Sequence, residues 1–259
     1  MSSSTQRAPQ RTAVITGVGA ERGIGRATAH RFARDGWAIV GLDLDGDAAE
    51  KLAGELTERY GVPAFGAAVD VANEESVLAV RDAVAAVGLP TVGAVLNIAG
   101  ITSPLPFLET TVELWNRIFA VNVTGTYLVT KAFLPEMIDG GYGRVLNMSS
   151  VSAQQGGGVF GKTPYSSAKA AVLGFTKALA RELGPTGITV NALTPGAVDT
   201  DIRVHGTTPE IEQAIVAGIP LGRQASVDDV TALFAFLASP EAGYLTGTTQ
   251  NVNGGSYFS

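Results

Sequence analysis

Tyr165 and Lys169 stand four positions apart in Tyr165-Ser166-Ser167-Ala168-Lys169. Helical spacing puts their phenol and ammonium on one face of a single turn. A phenol titrates near 10 and is a poor base at neutral pH, but a neighbouring ammonium favours the phenolate and lowers that value. The pair is a candidate acid/base catalyst, although Tyr and Lys at this spacing are more often an ordinary exposed helix pair. A second group is glycine-rich. Thr16-Gly17-Val18-Gly19-Ala20-Glu21-Arg22-Gly23-Ile24-Gly25 follows the apolar run Thr12 to Thr16 and opens a helical pattern. Glycines let a backbone approach a pyrophosphate, and a helix N-terminus offers free N–H groups and a positive dipole end. A glycine turn alone also serves any sharp strand-to-helix connection. Eighteen positions beyond Gly25 the second apolar run ends at Asp43, about where a dinucleotide fold places the carboxylate that bonds the ribose hydroxyls. The plainer reading of Asp43 is a solvated loop acid, with Asp45 and Asp47 beside it.

Two other chemistries compete. Gly156 to Thr163 reads GGGVFGKT, which satisfies the phosphate-loop pattern of ATP and GTP hydrolases. That loop needs its first glycine at a strand end, whereas Ser149 to Gln155 intervene here, so the match reads as coincidence in a glycine-rich loop. A serine hydrolase is set aside because the G-x-S-x-G elbow is absent and His205 is the only histidine in a plausible downstream position. With no cysteine, the chain forms no disulfide, thiolate zinc site or catalytic thiol, and with only His30 and His205 no metal centre is expected.

The elements that must position these residues alternate. Strands are expected near Thr12–Thr16, Trp37–Leu42, Ala64–Val69, Val92–Asn97, Arg144–Met148, Ile188–Leu193 and Thr248–Val252. Helices are expected at Ile24–Arg34, Ala48–Tyr60, Glu74–Val87, one long helix Val112–Met137, Tyr165–Leu183 and Val227–Leu237. Strands without polar alternation, separated by helices, indicate a parallel sheet covered on both faces. The 259 residues, 46% of them apolar, carry enough material for one sizeable core. The expected fold is a single doubly wound α/β domain over residues 11–259, Rossmann-like, with ligands outside the carboxyl ends of the strands. The polar segment 1–10 is read as a loose tail on a cytoplasmic protein, and residues 201–218 as a substrate lid. The uncharged stretch Val84 to Leu108 is interrupted by three prolines and is not read as a membrane span. A net charge of −6 and a pI near 5.0 argue against nucleic-acid and anionic-membrane partners, leaving small molecules as the expected ligands.

Taken in order, TGVGAERGIG, Asp70-Val71, Asn97-Ile98-Ala99-Gly100, Asn122, Ser149-Ser150-Val151, Tyr165-x-x-x-Lys169 and Pro195-Gly196-Ala197-Val198-Asp199-Thr200 resemble the motifs of the short-chain dehydrogenase/reductase family. The resemblance spans Arg11 to about Gly255. It implies that Tyr165 is the general acid/base, that Lys169 lowers its pKa and bonds the nicotinamide ribose, that Asn122 holds a water of a proton relay, and that Ser150 polarises the substrate oxygen. It implies cofactor contacts from Gly17, Gly23 and Ile24 at the phosphates, Asp70 and Val71 at the adenine, and Asn97, Ala99 and Gly100 along the ribose. Pro195, Gly196, Val198 and Thr200 would meet the carboxamide end. It also implies a homotetramer joined through the helices near Val112–Met137 and Tyr165–Leu183.

Two departures stand out. The family's usual first turn is TGxxxGxG, whereas five residues separate Gly17 from Gly23 here. Ser150 precedes Tyr165 by 15 positions, about two more than usual, which leaves Ser152 as an alternative catalytic serine. Asp43 would repel a 2′-phosphate and favours NAD; Arg22, just before Gly23, is a further candidate cofactor contact and argues for NADP, but it lies in the lengthened loop and can point to water. A secondary alcohol or ketone is the expected substrate, among polyols, sugars and simple alcohols. A 3-oxoacyl carrier substrate and a non-catalytic NAD sensor are the alternatives. Thr102, Gln155, Phe160 and His205 are candidate pocket groups.

Overall fold

The computed structural model describes residues 11–201 and 208–258. Seven parallel strands form one sheet in the order β3-β2-β1-β4-β5-β6-β7. They are β1 (Thr12–Thr16), β2 (Ala38–Asp43), β3 (Ala64–Ala68), β4 (Val92–Asn97), β5 (Arg144–Met148), β6 (Thr189–Pro195) and β7 (Thr249–Val252). β1 is buried along its whole length between β2 and β4, in register Val14 to Val40 and Val95. The chain order reverses between β1 and β4, so the crevice for a ligand opens beyond Thr16 and Asn97.

Both faces of the sheet are covered. α1 (Ile24–Arg34), α2 (Gly46–Tyr60) and α9 (Val227–Ala238) pack one face through Phe32, Leu52, Leu56 and Phe234. α3 (Glu74–Val87), α5 (Gly125–Asp139) and α7 (Thr163–Leu183) pack the other through Val80, Val129, Phe133 and Leu183. Burial of each large side chain such as Phe32, Phe133 or Phe234 contributes about 2–3 kcal/mol.

The strands follow the sequence expectation closely, because uninterrupted apolar runs fit a sheet buried on both faces. The expected long helix Val112–Met137 is instead two. α4 (Val112–Phe119) and α5 are joined by a π-helical turn, Ala120–Thr124. Two elements absent from the sequence reading also appear. α6 (Ser152–Gln155) follows β5, and α8 (Pro209–Ala217) makes half of the expected lid a helix, while residues 202–207 of it lie outside the described residues. His205 lies outside the described residues.

Candidate active site

The glycine turn lies against the loop leaving β4. Gly17 has φ +77°, and a Cβ there would sit 2.9 Å from the Ala99 Cα, so neither a side chain nor its backbone geometry is tolerated. Its N–H donates to the Leu42 carbonyl at 2.8 Å. Thr16 Oγ1 accepts from the N–H groups of Ile98 and Ala99, both at 3.0 Å, and so fixes the second loop against the first. Sequence reasoning passed over Thr16, although a buried hydroxyl at the end of a buried strand is itself a signal.

α1 begins at Gly23 without a side-chain cap and without an acid in its first turn. By contrast α2, α3, α4, α8 and α9 are capped by Asp45, Asn73, Thr111, Thr208 and Ser226. The open amide end of α1, flanked by Gly17 and Gly23, fits a dinucleotide pyrophosphate. At the end of β2, Asp43 accepts from the Gly19 N–H at 2.7 Å and from the Asp45 N–H at 3.1 Å. The lengthened turn is thereby folded onto the carboxylate. Arg22 is partly exposed and held by two acids. Its guanidinium pairs with Asp199, and its backbone N–H donates to Asp201 Oδ2 at 2.9 Å.

Further along the crevice, the exposed Asp70 accepts from the Ala72 N–H at 2.9 Å, and buried Val71 packs where a Cβ on Gly125 would lie 2.8 Å from it. The Asn97 side chain points into the interior, donating to Thr130 Oγ1 at 2.9 Å and Asn147 Oδ1 at 2.8 Å. Asn147 passes this bond on to Thr176 at 2.9 Å, tying β4 and β5 to α5 and α7. The Asn97 amide therefore supports the strand ends from within. On the other side Gly196 donates to the Val252 carbonyl at 2.9 Å, and the Pro195 carbonyl accepts from the Val151 N–H at 3.0 Å. Buried Val198 bridges to Ala225, and Thr200 is buried next to it.

Tyr165 sits in the first turn of α7, with Ser150, just past the end of β5, near enough to its hydroxyl to lower the phenol. Ser150 Oγ accepts from the Ser152 N–H at 3.1 Å. Ser152 begins α6, which together with the left-handed Gly156 and Gly157 takes up the extra length before Tyr165. The first glycine of GGGVFGKT thus ends a short helix instead of a strand, and Lys162 is the exposed residue before α7. A phosphate loop is not built there. Gly161 is needed for another reason, since a Cβ at that position would fall 2.4 Å from the Tyr165 ring. Thr102 donates to the Phe160 carbonyl and Lys162 N–H to the Ser103 carbonyl, so the loops beyond β4 and before α7 are stitched together beside the tyrosine. Gln155 is exposed and bonds within its own turn, to the Gly157 carbonyl at 2.8 Å.

Lys169 is buried, its Nζ 5.7 Å from the Tyr165 ring centre and 2.8 Å from the Met148 carbonyl to which it donates. Ser149 Oγ donates to the Lys169 carbonyl at 2.7 Å, anchoring this turn of α7 to β5. Burial pushes the Lys169 ammonium down to about 8. Burial also raises Tyr165, against a smaller lowering by Ser150. In the protein without cofactor, then, desolvation outweighs the lowering of the phenol expected from sequence.

Asn122 lies in the π-helical turn, fully buried. Its Nδ2 donates to the Ile118 and Ile101 carbonyls, each at 2.9 Å, while the Asn122 carbonyl accepts from Thr126 Oγ1 at 2.9 Å. Side chains thereby satisfy carbonyls that the widened turn releases from the helical ladder. Asn122 Oδ1 is left buried without a hydrogen-bond partner among the described residues. A Cβ at Gly100 would stand 2.6 Å from that oxygen and 3.3 Å from Lys169 Nζ, so both groups face the same spot.

A doubly wound sheet with an open glycine turn, an acid at the end of β2 and a tyrosine–lysine pair beside the crevice defines a dinucleotide-dependent oxidoreductase. The chain belongs to the short-chain dehydrogenase/reductase family: a family model described as enoyl-(acyl carrier protein) reductase matches residues 17–257. An uncharacterized short-chain type dehydrogenase/reductase of Sinorhizobium fredii is 44% identical over 246 residues, 95% of this chain and 96% of that protein. The 3-oxoacyl-[acyl-carrier-protein] reductase of Aquifex aeolicus is 38% identical over 239 residues, 92% of this chain and 95% of that one. A crystal structure of a putative NAD(P)-dependent gluconate 5-dehydrogenase from Beutenbergia cavernae, with bound NADP at low occupancy, superposes with a TM-score of 0.86. That protein is 34% identical, over 95% of this chain and 96% of its own. NAD(P) is the cofactor of this family. Among the described residues, no helix is long and apolar enough to cross a membrane.

The crowding at Gly100 gives a direct expectation. Gly100→Ala forces either the Asn122 amide or the Lys169 ammonium to move, and Asn122 is pinned by two carbonyls. Turnover should fall about a hundredfold, as for a displacement of about 1 Å in a catalytic array, with the circular dichroism spectrum unchanged. Steady-state kinetics of the purified variant check this.

Proposed function

We propose that the protein interconverts a secondary alcohol and a ketone, with NAD as its preferred cofactor and Tyr165 as general acid/base. The observation that carries this reading is the buried Lys169 ammonium 5.7 Å from the Tyr165 ring centre, with Ser150 at the end of β5 beside the phenol. When bound, the nicotinamide accepts or supplies the hydride. Tyr165 takes the hydroxyl proton in oxidation and returns it in reduction. Ser150 holds the substrate oxygen beside the phenol, and its influence on Tyr165 supports it over Ser152. The Lys169 ammonium stabilises the phenolate and bonds the nicotinamide ribose. Asn122 Oδ1, lacking a donor among the described residues, accepts from a relay water that carries the proton outward.

For the cofactor, Gly17, Gly23 and Ile24 meet the pyrophosphate and Asp43 the adenosine ribose. Asp70 and Val71 bound the adenine, Ala99 and Gly100 line the ribose with Asn97 supporting them, and Pro195, Gly196, Val198 and Thr200 border the carboxamide. Asp43 repels a 2′-phosphate, and Arg22 is paired elsewhere with Asp199. Measured on a panel of polyols, sugars, simple alcohols and β-keto compounds, kcat/KM should be at least about tenfold higher with NAD than with NADP, the equivalent of 1.4 kcal/mol. Equal or better use of NADP removes the Asp43 argument, and cofactor binding without turnover of any panel member favours a sensor.

The Aquifex relative, named for action on a 3-oxoacyl carrier, supports a second reading in which the ketone is a 3-oxoacyl thioester. Including an acetoacetyl thioester in the panel separates the two. We also infer a homotetramer of a cytoplasmic enzyme. The helices expected at the interface leave Val112 and Tyr127 exposed, and the C-terminal segment leaves Tyr244 and Phe258 exposed.

A further inference from the structure

The turn after β1 is longer than its family's usual form, and its only cation is Arg22. That residue sits between two acidic groups. Behind it in the same turn, the Gly19 N–H binds Asp43, and a Cβ on Gly19 would lie 2.8 Å from the Asp43 carboxyl carbon. Ahead of it, the guanidinium pairs with Asp199. Arg22 Nε lies 3.9 Å from Asp201 Oδ1, and the Arg22 N–H donates to Asp201 Oδ2. Asp199 and Asp201 flank buried Thr200 beyond β6.

Among the described residues, the polar contacts of the guanidinium are with these carboxylates. The Arg22 and Asp199 side chains are 56% and 70% exposed, and both residues line an open cavity of about 1080 Å³. An exposed ion pair of this kind is weak and is readily exchanged for another anion. A phosphate on the ribose 2′ position, next to Asp43, is the anion that would reward such an exchange, because it accepts charge-assisted bonds from a guanidinium.

We propose that Asp199 and Asp201 are determinants of cofactor choice that act through Arg22, holding the one cation of the turn away from the 2′ position. The inference rests on the proposed role of Asp43 in favouring NAD. Discrimination against a 2′-phosphate then has two parts, repulsion by Asp43 and sequestration of the side chain that would offset it.

The test measures dissociation constants of NADH and NADPH, by nicotinamide fluorescence, on the full chain. Four proteins are compared: wild type, Asp199→Asn/Asp201→Asn, Arg22→Ala, and the triple variant. The paired Asn substitutions should shift binding toward NADPH relative to NADH by about fivefold, near the ceiling for an exposed pair. In the Arg22→Ala background the same substitutions should shift it less than about twofold. An unchanged ratio, or an equal shift with and without Arg22, overturns the proposal, the latter because it would report only lost negative potential. Asp199→Asn alone keeps the Asp201 bond to the turn backbone and should give part of the shift, so it decides the matter if the double variant does not fold. Wild-type preference for NADPH would sink the Asp43 reading by itself, while the comparison between the two Arg22 backgrounds still judges this one.

Discussion

Tyr165→Phe should lose turnover by about three orders of magnitude, within the range for removal of a positioned general acid/base, while keeping its fold and its affinity for NADH within a few-fold. The substitution removes one oxygen. The ring stays where Gly161 leaves room for it, and the Lys169 ammonium stays 5.7 Å from its centre. Ser150 keeps its bond from the Ser152 N–H at 3.1 Å, so the stability change should be about 1 kcal/mol or less. The pH profile gives a second check. In the free protein burial raises the phenol and lowers the ammonium, so kcat/KM for alcohol oxidation should climb with pH as the pair gives up a proton. That limb belongs to the coupled pair and not to either residue alone. It should vanish from the residual activity of the Phe variant. A residual rate within tenfold of wild type would remove Tyr165 from the chemistry.

The parts of this site legible in the sequence are those where one residue type has few alternatives. Gly17 needs a positive φ and contact with Ala99, and Tyr165 and Lys169 share a face by helical spacing alone. The strands were legible for a related reason: a parallel sheet buried on both faces requires continuous apolar runs. The π-helical turn at Asn122 was not, because its cause is tertiary. Asn122 donates to Ile101, 21 residues away, and no local pattern announces that partner. α6 and α8 were missed because each is short and lies among glycines or near the ends of loops. The side-chain direction of Arg22 was likewise hidden. Its partners Asp199 and Asp201 lie nearly 180 positions along the chain, in the loop beyond β6, and no local pattern announces them. Asn97 shows the reverse case. Its position within the motif was legible, but its amide serves Thr130 and Asn147 in the interior.

Lys169→Met should abolish most turnover and at the same time stabilise the protein without cofactor. Lys169 is 3% exposed, and among the described residues the Met148 carbonyl is its hydrogen-bond acceptor, so burial alone holds the ammonium down to about 8. The sign follows from the proton balance. Below pH 8 both folded and unfolded chains carry the proton, and folding bears the full cost of burying the charge. Between about 8 and the unperturbed lysine value near 10.4 the unfolded chain binds more protons, so stability rises with pH. Tyr165, raised by burial, acts in the opposite sense only above its own unperturbed value near 10. From pH 8 to 10, therefore, the contribution of Lys169 stands alone within this pair. A depression of this size corresponds to about 3 kcal/mol, from which about 1 kcal/mol is lost with the bond to Met148. Methionine, close to lysine in length and without charge, should raise the melting temperature near pH 7 by about 5 °C in a chain of this size. It should also flatten the rise in stability between pH 8 and 10. Thermal melts of both proteins across that range measure the effect. A variant that melts lower than wild type at pH 7, or retains the same pH dependence, would mean that the buried ammonium is well solvated or paired and stores no cost. If the melts behave as expected, the fold maintains Lys169 against its own stability, which is the signature of a residue retained for what it does to a bound ligand.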